Sequence, residues 1–386
     1  MTSPLLIKTE GPQIRIAKAP LVKELALLQT LIERKNTIPI LSTILIQGRG
    51  AEISIVGTDL DVSLQTVCPA EVTGEFSAVV QARKFFDIVR SLPESDILLS
   101  MGENNWVTIT CGASEFNLHG QNKDTFPAVP TVKDFDFIIS ASALNGLINR
   151  TAFAITQEES RYALNGSLFR VVDSQPLMVA TDGHRLALAR ANTQVVICQS
   201  AAAWVSELSV VIPKKALTEL AKLTAGHDGG VNISKDDNHL YFKIGARLLT
   251  SRMLSGQFPN YDLVIPKTND TVVSVNRDLL TQAIRRAGIM ADERSHGVKI
   301  EFASGRLELS AQSAEVGAAR EGLNIDYKGA GLTIGFNFLY MIDFLNVISG
   351  DMVKIALKDD QSPALFTPES DDSFVAQFVL MPMRLI

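Results

Sequence analysis

The sequence predicts an α+β protein of three similar domains, each with two helices packed on antiparallel sheets. Three observations support this fold class. The chain has 386 residues, which suggests about two to four domains. Two kinds of apolar helix pattern each occur three times, at an interval of about 129 residues that suits a domain rather than a solenoid repeat. Short alternating runs rich in β-branched residues separate the helices.

The first kind of helix pattern begins near residues 21, 143 and 278, at intervals of 122 and 135 residues. In its first copy, Leu21, Leu25 and Leu28 follow the spacing of one helical face. The second kind begins near residues 82, 214 and 337, at intervals of 132 and 123 residues. Pro213 precedes its second copy, where proline suits a helix start. The predicted helices cover residues 21–35, 82–92, 143–155, 214–224, 278–290 and 337–348.

The segments between the helices read as antiparallel strands, because apolar and polar residues alternate along them. Examples are residues 106–110, 240–244 and 307–310. The junctions between the repeated units fall near residues 131–134 and 267–270. We therefore predict domains at residues 1–134, 135–270 and 271–386.

Charge is distributed unevenly between the predicted helices and the rest of the chain. The net charge of −6 excludes a uniformly basic coat for nucleic acid. In chain order the six helices carry +1, +2, +1, +2, +1 and −1, a net +6, which leaves −12 for all other residues. Either helices simply accommodate Lys and Arg, or the helices share one face against a polyanion while acidic strands keep the outside away from it.

The composition also restricts the class of protein. Hydrophobic residues make up 46% and charged residues 20%, which is typical of a globular chain. Cys68, Cys111 and Cys198 form no CxxC pair, so we expect neither a disulfide framework nor a zinc knuckle, and a reducing compartment. The N-terminus lacks the pattern of a secretory signal, and no apolar run approaches the ~20 residues of a membrane span, so we expect a soluble intracellular protein.

Few residues suggest catalysis. Asp182, His184 and Arg185 are close enough in sequence to form an acid–base centre, but no histidine has a second histidine at metal-ligand spacing. The sequence therefore favours a tight turn at Asp182 and Gly183 over a catalytic centre. Asp59 and Asp61 would lie on one face of a strand, as at a metal site. A metal-dependent nuclease built on Asp59, Asp61, Asp182 and His184 is therefore one alternative function. We expect no cofactor and no metal.

The C-terminal segment suggests a binding surface. It is apolar and rich in methionine, which suits a groove that accepts variable peptides, although it could also form a last core strand. A peptide-binding adaptor that is indifferent to DNA is therefore a second alternative.

Several distinctive segments are spread along the chain. They are Gly57-Thr58-Asp59-Leu60, Ala82-Arg83-Lys84-Phe85-Phe86-Asp87-Ile88, Arg161-Tyr162-Ala163-Leu164-Asn165-Gly166, Ala180-Thr181-Asp182-Gly183-His184-Arg185-Leu186-Ala187 and Met381-Pro382-Met383-Arg384-Leu385. Together they resemble the bacterial β sliding clamps, the processivity subunits of DNA polymerase III, and the resemblance spans the chain. The resemblance implies a non-catalytic, head-to-tail homodimer that closes into a ring. Helices would line the hole and contact the phosphates of an encircled duplex without reading its bases.

The resemblance also implies sites. A partner pocket would take short motifs with a Gln and terminal hydrophobic residues from the replicative polymerase subunit, the clamp loader, and other polymerases and repair proteins. Its residues would be Leu164, Thr181, Gly183, His184, Arg185, Leu186, Pro259, Val264, Val379, Leu380, Met381, Pro382, Met383 and Arg384. Arg83 and Tyr162 would face DNA, with Lys35 in place of the usual Arg, while Lys214 and Lys215 are expected there from their charge alone.

The resemblance places the subunit interface between Ile289 and Met290 of one protomer and Phe116 and Leu118 of the other. The simpler interpretation is that these four residues belong to cores within single domains. The sequence departs from the family pattern at three further positions, where altered contacts are expected. Those positions are Leu263, Glu158 and Ala163.

Overall fold

A computed structural model describes residues 11–32, 37–158 and 160–384. The chain forms two compact units. Unit 1 contains residues 1–136 and 229–252, and unit 2 contains residues 137–228 and 253–386. Within the described residues, no helix is both long and apolar enough to cross a membrane.

The helices follow the two predicted kinds. They are α1 (Lys18–Leu31), α2 (Ala82–Ser91), α3 (Ala141–Thr151), α4 (Ala202–Val205), α5 (Lys214–Thr224), α6 (Arg277–Gly288) and α7 (Phe338–Val347). The prediction is confirmed for six of them, with ends that differ by a few residues. The predicted end of the first helix falls partly on residues 33–36, outside the described residues. The short α4 was not predicted, because one turn is too short to show a helical period.

The strands alternate with these helices. The first half of the chain contains β1 (Gln13–Ala17), β2 (Thr43–Arg49), β3 (Glu52–Thr58), β4 (Val62–Pro69), β5 (Glu71–Thr73), β6 (Phe76–Gln81), β7 (Asp96–Met101), β8 (Trp106–Cys111), β9 (Ser114–His119), β10 (Phe137–Ser140), β11 (Gly166–Val172), β12 (Gln175–Thr181) and β13 (Arg185–Ala191). The second half contains β14 (Val196–Ile197), β15 (Ser209–Pro213), β16 (Gly230–Lys235), β17 (His239–Ile244), β18 (Arg247–Arg252), β19 (Thr271–Asn276), β20 (Gly297–Ala303), β21 (Arg306–Ser313), β22 (Gly317–Asn324), β23 (Leu332–Asn337), β24 (Met352–Leu357), β25 (Ala364–Pro368) and β26 (Phe374–Leu380).

Unit 1 contains two sets of antiparallel strands. One sheet has the order β5-β1-β7-β8-β9, and the other set has the order β16-β17-β18-β4-β3-β2-β6. Helix α1 packs on β3 and β4 and against α2. Strand β18 pairs with β4, with Leu249 opposite Leu64, so strands from distant parts of the sequence share one sheet.

A buried ion pair fixes α1 to this sheet. Glu24 is only 9% exposed, and its carboxylate accepts hydrogen bonds from Nε and Nη2 of Arg247 at 2.8 and 2.6 Å and from the Thr66 hydroxyl. Burial alone would raise the pKa of Glu24, but the bonds from Arg247 and Thr66 outweigh it and hold the pKa below its ordinary value of 4.5. The pair therefore connects α1 to both β4 and β18.

Unit 2 is built on an eight-stranded sheet with the order β15-β11-β12-β13-β26-β25-β24-β19. Helix α3 packs on β12 and β13 and against α5. Helix α7 covers the far half through aromatic side chains, with the Phe344 ring stacked on Phe378 at 4.9 Å and Phe366 beside both. A four-stranded sheet, β22-β21-β20-β23, packs against α6. The helices therefore occupy one face of the eight-stranded sheet and leave the other face for other contacts.

The start of β26 is anchored to α3. The Arg150 guanidinium lies 4.0 Å over the Phe374 ring and donates to Asp371 at 2.8 Å, with both charged side chains nearly buried. Gly146 allows the ring to approach the helix, because a Cβ at that position would lie 2.2 Å from Cζ of Phe374. The strand that carries the C-terminal segment is thus held in place by packing as well as by its ladder bonds.

We expect Glu24→Ala to lower the free energy of unfolding by about 3 kcal/mol, because it leaves the Arg247 cation without its carboxylate partner. Urea titration of the variant and the wild type measures the difference. The depressed pKa makes this contribution complete above pH 4.5 and lost as the pH falls through the folded-state pKa, so the two proteins should converge in acid. The exposed Glu52→Ala on β3 is the control, with an expected change within ~0.5 kcal/mol. An equal loss in both variants would contradict this role for the pair.

Candidate functional site

The face of the eight-stranded sheet opposite the helices carries an apolar cluster, here called the outer-face cluster. Its members are at most 8% exposed and come mainly from alternate positions of paired strands. They are Leu168, Leu177, Val179, Leu186, Leu188, Val211, Tyr261 and Val379. Val179 lies opposite Leu188, and Leu186 lies opposite Val379, so the ladder bonds set the side chains next to one another.

The segment 253–266 and the last strand give this cluster an apolar rim. Leu254, Phe258 and Ile265 pack against the cluster and are only partly buried. Between and beside them, Leu263 is 83% exposed and Val264 is 42% exposed. Met381, two residues after Val379 of the cluster, is 41% exposed. We call the outer-face cluster with Leu263, Val264 and Met381 the apolar groove. Large apolar side chains that remain exposed beside a buried apolar cluster are typical of a surface that binds a partner.

The turn between β12 and β13 forms one end of the groove. Its conformation is set by Asp182, whose Oδ1 accepts from the backbone N–H of His184 at 2.9 Å and of Arg185 at 3.0 Å. Gly183 has a φ of +90°, which favours glycine. The predicted turn at Asp182 and Gly183 is confirmed. The His184 carbonyl then accepts from the Met381 N–H at 3.0 Å, which attaches the C-terminal segment to this turn.

The side chain of Arg185 is directed away from solvent and is 9% exposed. Its guanidinium donates to Asp182 at 3.0 Å, to Asp343 of α7 at 2.6 Å and to the Phe153 carbonyl at 2.6 Å. It also lies 4.0 Å over the ring of Tyr340. Arg185 therefore connects the turn to α7 and to the segment that follows α3, and its charge is already compensated there.

The structure brings part of the predicted pocket together. Leu186 and Val379 belong to the outer-face cluster, whereas the adjacent Leu380 is buried and lies on the other face of β26. The Met383 N–H donates to the Gly335 carbonyl of β23 at 2.8 Å, so the C-terminal segment is bonded to both sheets of unit 2. Among the remaining predicted residues, Thr181 is buried and Leu164, Pro382 and Met383 are half-buried, while the exposed ones are Gly183, His184, Pro259, Val264, Met381 and Arg384.

The sequence analysis missed most of the groove floor. The missed residues are Leu168, Leu177, Val179, Leu188, Val211 and Tyr261. A local signal exists for some of them, because Leu177 and Val179 alternate on β12 with residues that face the helices. The pattern along a strand does not show which of its two faces packs on helices and which one meets a partner. The apolar residues of β12 therefore look like ordinary core in the sequence.

The predicted DNA-facing residues lie on or near the helices. Arg83 on α2 and Lys214 at the start of α5 are exposed, and Arg83 lies 3.8 Å from Asp87 in a loose ion pair. Tyr162 is exposed and Lys215 is half-buried. Lys35 lies outside the described residues.

The predicted interface residues are near two sheet edges. Strand β9, which holds Phe116 and Leu118, ends the five-stranded sheet, and β22 ends the four-stranded sheet, against which α6 packs. Ile289, just after α6, is 71% exposed and Phe116 is exposed as well. The core interpretation is therefore wrong for these two residues, while Leu118 and Met290 are half-buried.

The residues of the nuclease alternative do not form a metal site. Asp59 and Asp61 lie in the turn after β3 rather than on one strand face, so that expectation is wrong. The physical reason is a local turn, since Leu60 has a φ of +82° and Asp59 Oδ1 accepts from the N–H groups of Asp61 and Val62. Within the described residues, no three His, Cys, Asp or Glu side chains are grouped to hold a metal ion. The geometry gives the nuclease no support.

Family profiles match the chain in three consecutive parts. They describe the N-terminal, central and C-terminal domains of the DNA polymerase III beta subunit and match residues 13–130, 138–260 and 262–384. The beta sliding clamp of Pseudomonas aeruginosa is 35% identical over 374 residues, which covers 96% of this chain and 99% of that one. The clamp of Caulobacter vibrioides is 34% identical and covers 97% and 100%.

Solved structures agree with these matches. A crystal structure of the Caulobacter crescentus beta sliding clamp has a TM-score of 0.90 at 33% identity and covers 97% of this chain and all of the other. A Pseudomonas aeruginosa sliding clamp bound to griselimycin has a TM-score of 0.90 at 34% identity, with the same coverage. The predicted fold class and family resemblance are confirmed, and the chain belongs to the DNA polymerase III beta subunit family, the beta sliding clamps.

Proposed function

We propose that two copies of this chain close into a ring around duplex DNA and tether the replicative polymerase and other proteins to it. The observation that carries this proposal is the match of all three beta-subunit domains along the chain. The protein is a non-catalytic processivity factor, and enclosure of the duplex replaces tight binding to it. Neither the nuclease nor the DNA-independent adaptor is supported by these relatives. The domains proposed for this role are residues 1–134, 135–270 and 271–386, and the proposed location is the cytoplasm.

Ring closure is proposed to occur by edge-to-edge pairing of β9 of one protomer with β22 of its partner. Both are edge strands of their sheets and bury few of their side chains, which suits addition of a strand from a second chain. The exposed Phe116 and Ile289 would then be covered, together with Leu118 and Met290. Head-to-tail pairing of this kind joins two different surfaces. It forms a closed ring only if the rotation that relates one protomer to the next leads back to the first protomer.

Contact with DNA is proposed to be weak and electrostatic. The helices carry cationic side chains such as Arg83 and Lys214, whereas the rest of the chain carries the excess of negative charge. Phosphate contacts of this type do not read base sequence and allow the protein to move along the duplex. Lys35, Tyr162 and Lys215 are proposed to share this surface.

Partners are proposed to bind the apolar groove through short motifs with a Gln and terminal hydrophobic residues. A buried apolar floor beside exposed apolar side chains suits insertion of hydrophobic anchors. Two related clamps bind compounds: one binds griselimycin, and another binds polyethylene glycol at a candidate beta-motif tethering region. The proposed partners are the polymerase subunit, the clamp loader, and other polymerases and repair proteins.

The dimer proposal predicts that Ile289→Asp yields monomers, because a charged side chain would be buried at the subunit boundary. Native mass spectrometry of the wild type should give two copies. The matched control is Val272→Asp on β19, also an exposed apolar residue, which should stay dimeric. A wild-type protein that is a monomer over the micromolar range would contradict the ring.

The DNA proposal predicts that Arg83→Glu combined with Lys214→Glu reduces loader-dependent retention on nicked circular DNA severalfold, because two phosphate contacts become repulsive. The effect should weaken as salt rises. Charge reversal at the exposed Lys328 and Lys358, outside the helices, is the control and should have little effect. Retention of the wild type that survives linearisation of the circle would argue against encirclement.

The groove proposal predicts that Met381→Ser weakens binding of a peptide with one Gln and a terminal Leu-Phe pair by about tenfold, since the substitution removes an apolar wall. Fluorescence anisotropy with the labelled peptide measures the change, and native mass should still show a dimer. Leu339→Ser on α7, whose side chain is 40% exposed, is the control. Equal losses for both variants would refute a specific role for Met381.

A further inference from the structure

The charged side chain of Arg170 borders the outer-face cluster. Arg170 is on β11 between Leu168 and Val172, and both of these neighbours pack in or against the outer-face cluster. Residues at alternate positions of a strand share a face, so Arg170 faces the same side. Its cross-strand neighbour Leu177 is a further member of the cluster. Its other cross-strand neighbour is Ser209 of β15. A cation therefore lies beside an apolar cluster.

The hydrogen bonds of Arg170 leave one edge of its guanidinium unused within the described part of the chain. Nη1 donates to the hydroxyl of Tyr261 at 3.1 Å, and that hydroxyl is a neutral acceptor. Nε is buried and has no hydrogen-bond partner, and no carboxylate of the described residues forms an ion pair with this side chain.

Other arginines of this chain show what usually satisfies such a group. Arg247 binds both carboxylate oxygens of Glu24 through Nε and Nη2, which is the side-on fork. Arg185 and Arg150, which are similarly buried, each have an aspartate partner. Arg170 has Nη1 engaged with Tyr261 and Nε buried, which leaves Nη2 for an acceptor from outside the chain. Leaving a partly buried cation without a counter-charge is costly, and a carboxylate from outside the chain would offset that cost.

We propose that Arg170 binds a carboxylate of the partner peptide, so that the apolar groove selects hydrophobic motifs that also carry an acid. This inference rests on the proposed function of the groove as the partner site. The apolar rim would hold the hydrophobic side chains of the peptide, and the guanidinium would donate a hydrogen bond to its carboxylate, which belongs to an acidic side chain or to a free C-terminus. Arg170 thereby acts as a specificity-determining residue, because an uncharged peptide gains the apolar contacts alone.

A purely structural role makes a different prediction. If Arg170 serves only to hold segment 253–266 through Tyr261, its loss would loosen the wall of the groove and weaken all peptides alike. Tyr261→Phe removes that hydroxyl while keeping the aromatic ring in the cluster. Under the proposal, this variant keeps its preference for an acidic peptide.

The test measures the affinity of the full-length dimer for three labelled peptides, each with one Gln and a terminal Leu-Phe pair. The first has Asp between these groups and an amidated end, the second has Asn and an amidated end, and the third has Asn and a free carboxylate. We expect the wild type to bind the first or the third peptide, which each carry a carboxylate, about tenfold more tightly than the neutral second peptide. Arg170→Met should remove this preference while leaving the affinity for the neutral peptide within about twofold.

Controls separate the possible outcomes. Arg190→Met removes an exposed arginine from β13, on the same face of the sheet, and should keep the preference. If Arg170→Met fails to fold by circular dichroism, Arg170→Lys replaces it, which keeps the charge but loses the planar guanidinium and should reduce the preference. Equal binding of all three peptides by the wild type overturns this inference and leaves the groove intact. Failure of the wild type to bind any of them contradicts the proposed function of the groove itself.

Discussion

The antiparallel ladder between β13 and β26 is the interaction on which the candidate site depends. It joins a strand from the middle of the chain to the last strand through seven paired residues, from Arg185 opposite Leu380 to Ala191 opposite Phe374. This pairing places the turn at Asp182 beside the C-terminal segment. It also aligns the apolar side chains of both strands on one face of the sheet. Backbone bonds therefore build the groove from segments that are far apart in sequence.

Buried arginines hold the surrounding elements in register. Arg185 connects the turn to α7, Arg150 connects α3 to the start of β26, and Arg247 connects β18 to α1. Each has a carboxylate partner, so its charge contributes to structure and is not available to a ligand. Arg170 lacks such a partner among the described residues, which is why we propose that it binds a carboxylate of the partner peptide.

The two faces of the main sheet of unit 2 differ in how they are covered. One face is closed by helices and aromatic packing, whereas the other keeps apolar side chains partly exposed. For a protein that encloses its DNA, specific affinity for the duplex is unnecessary, and weak phosphate contact allows movement. Specific recognition is then needed only for partner proteins, and an apolar groove with few charges suits that task because hydrophobic anchors supply most of the binding energy at such surfaces.

The sequence by itself determined the repeat, the six main helices, the turn at Asp182 and the family, because periodicity, turn chemistry and motifs are local properties of the chain. It did not show that Asp59 and Asp61 lie in a turn, since the backbone conformation of Leu60 is not visible in the strand pattern. Only the tertiary structure decided that Arg185 points inward, that Leu168 and Val211 belong to the groove, and that Arg170 stands among them. The physical reason is that strand pairing between distant segments, and the choice of which sheet face the helices cover, depend on long-range packing that no local pattern encodes.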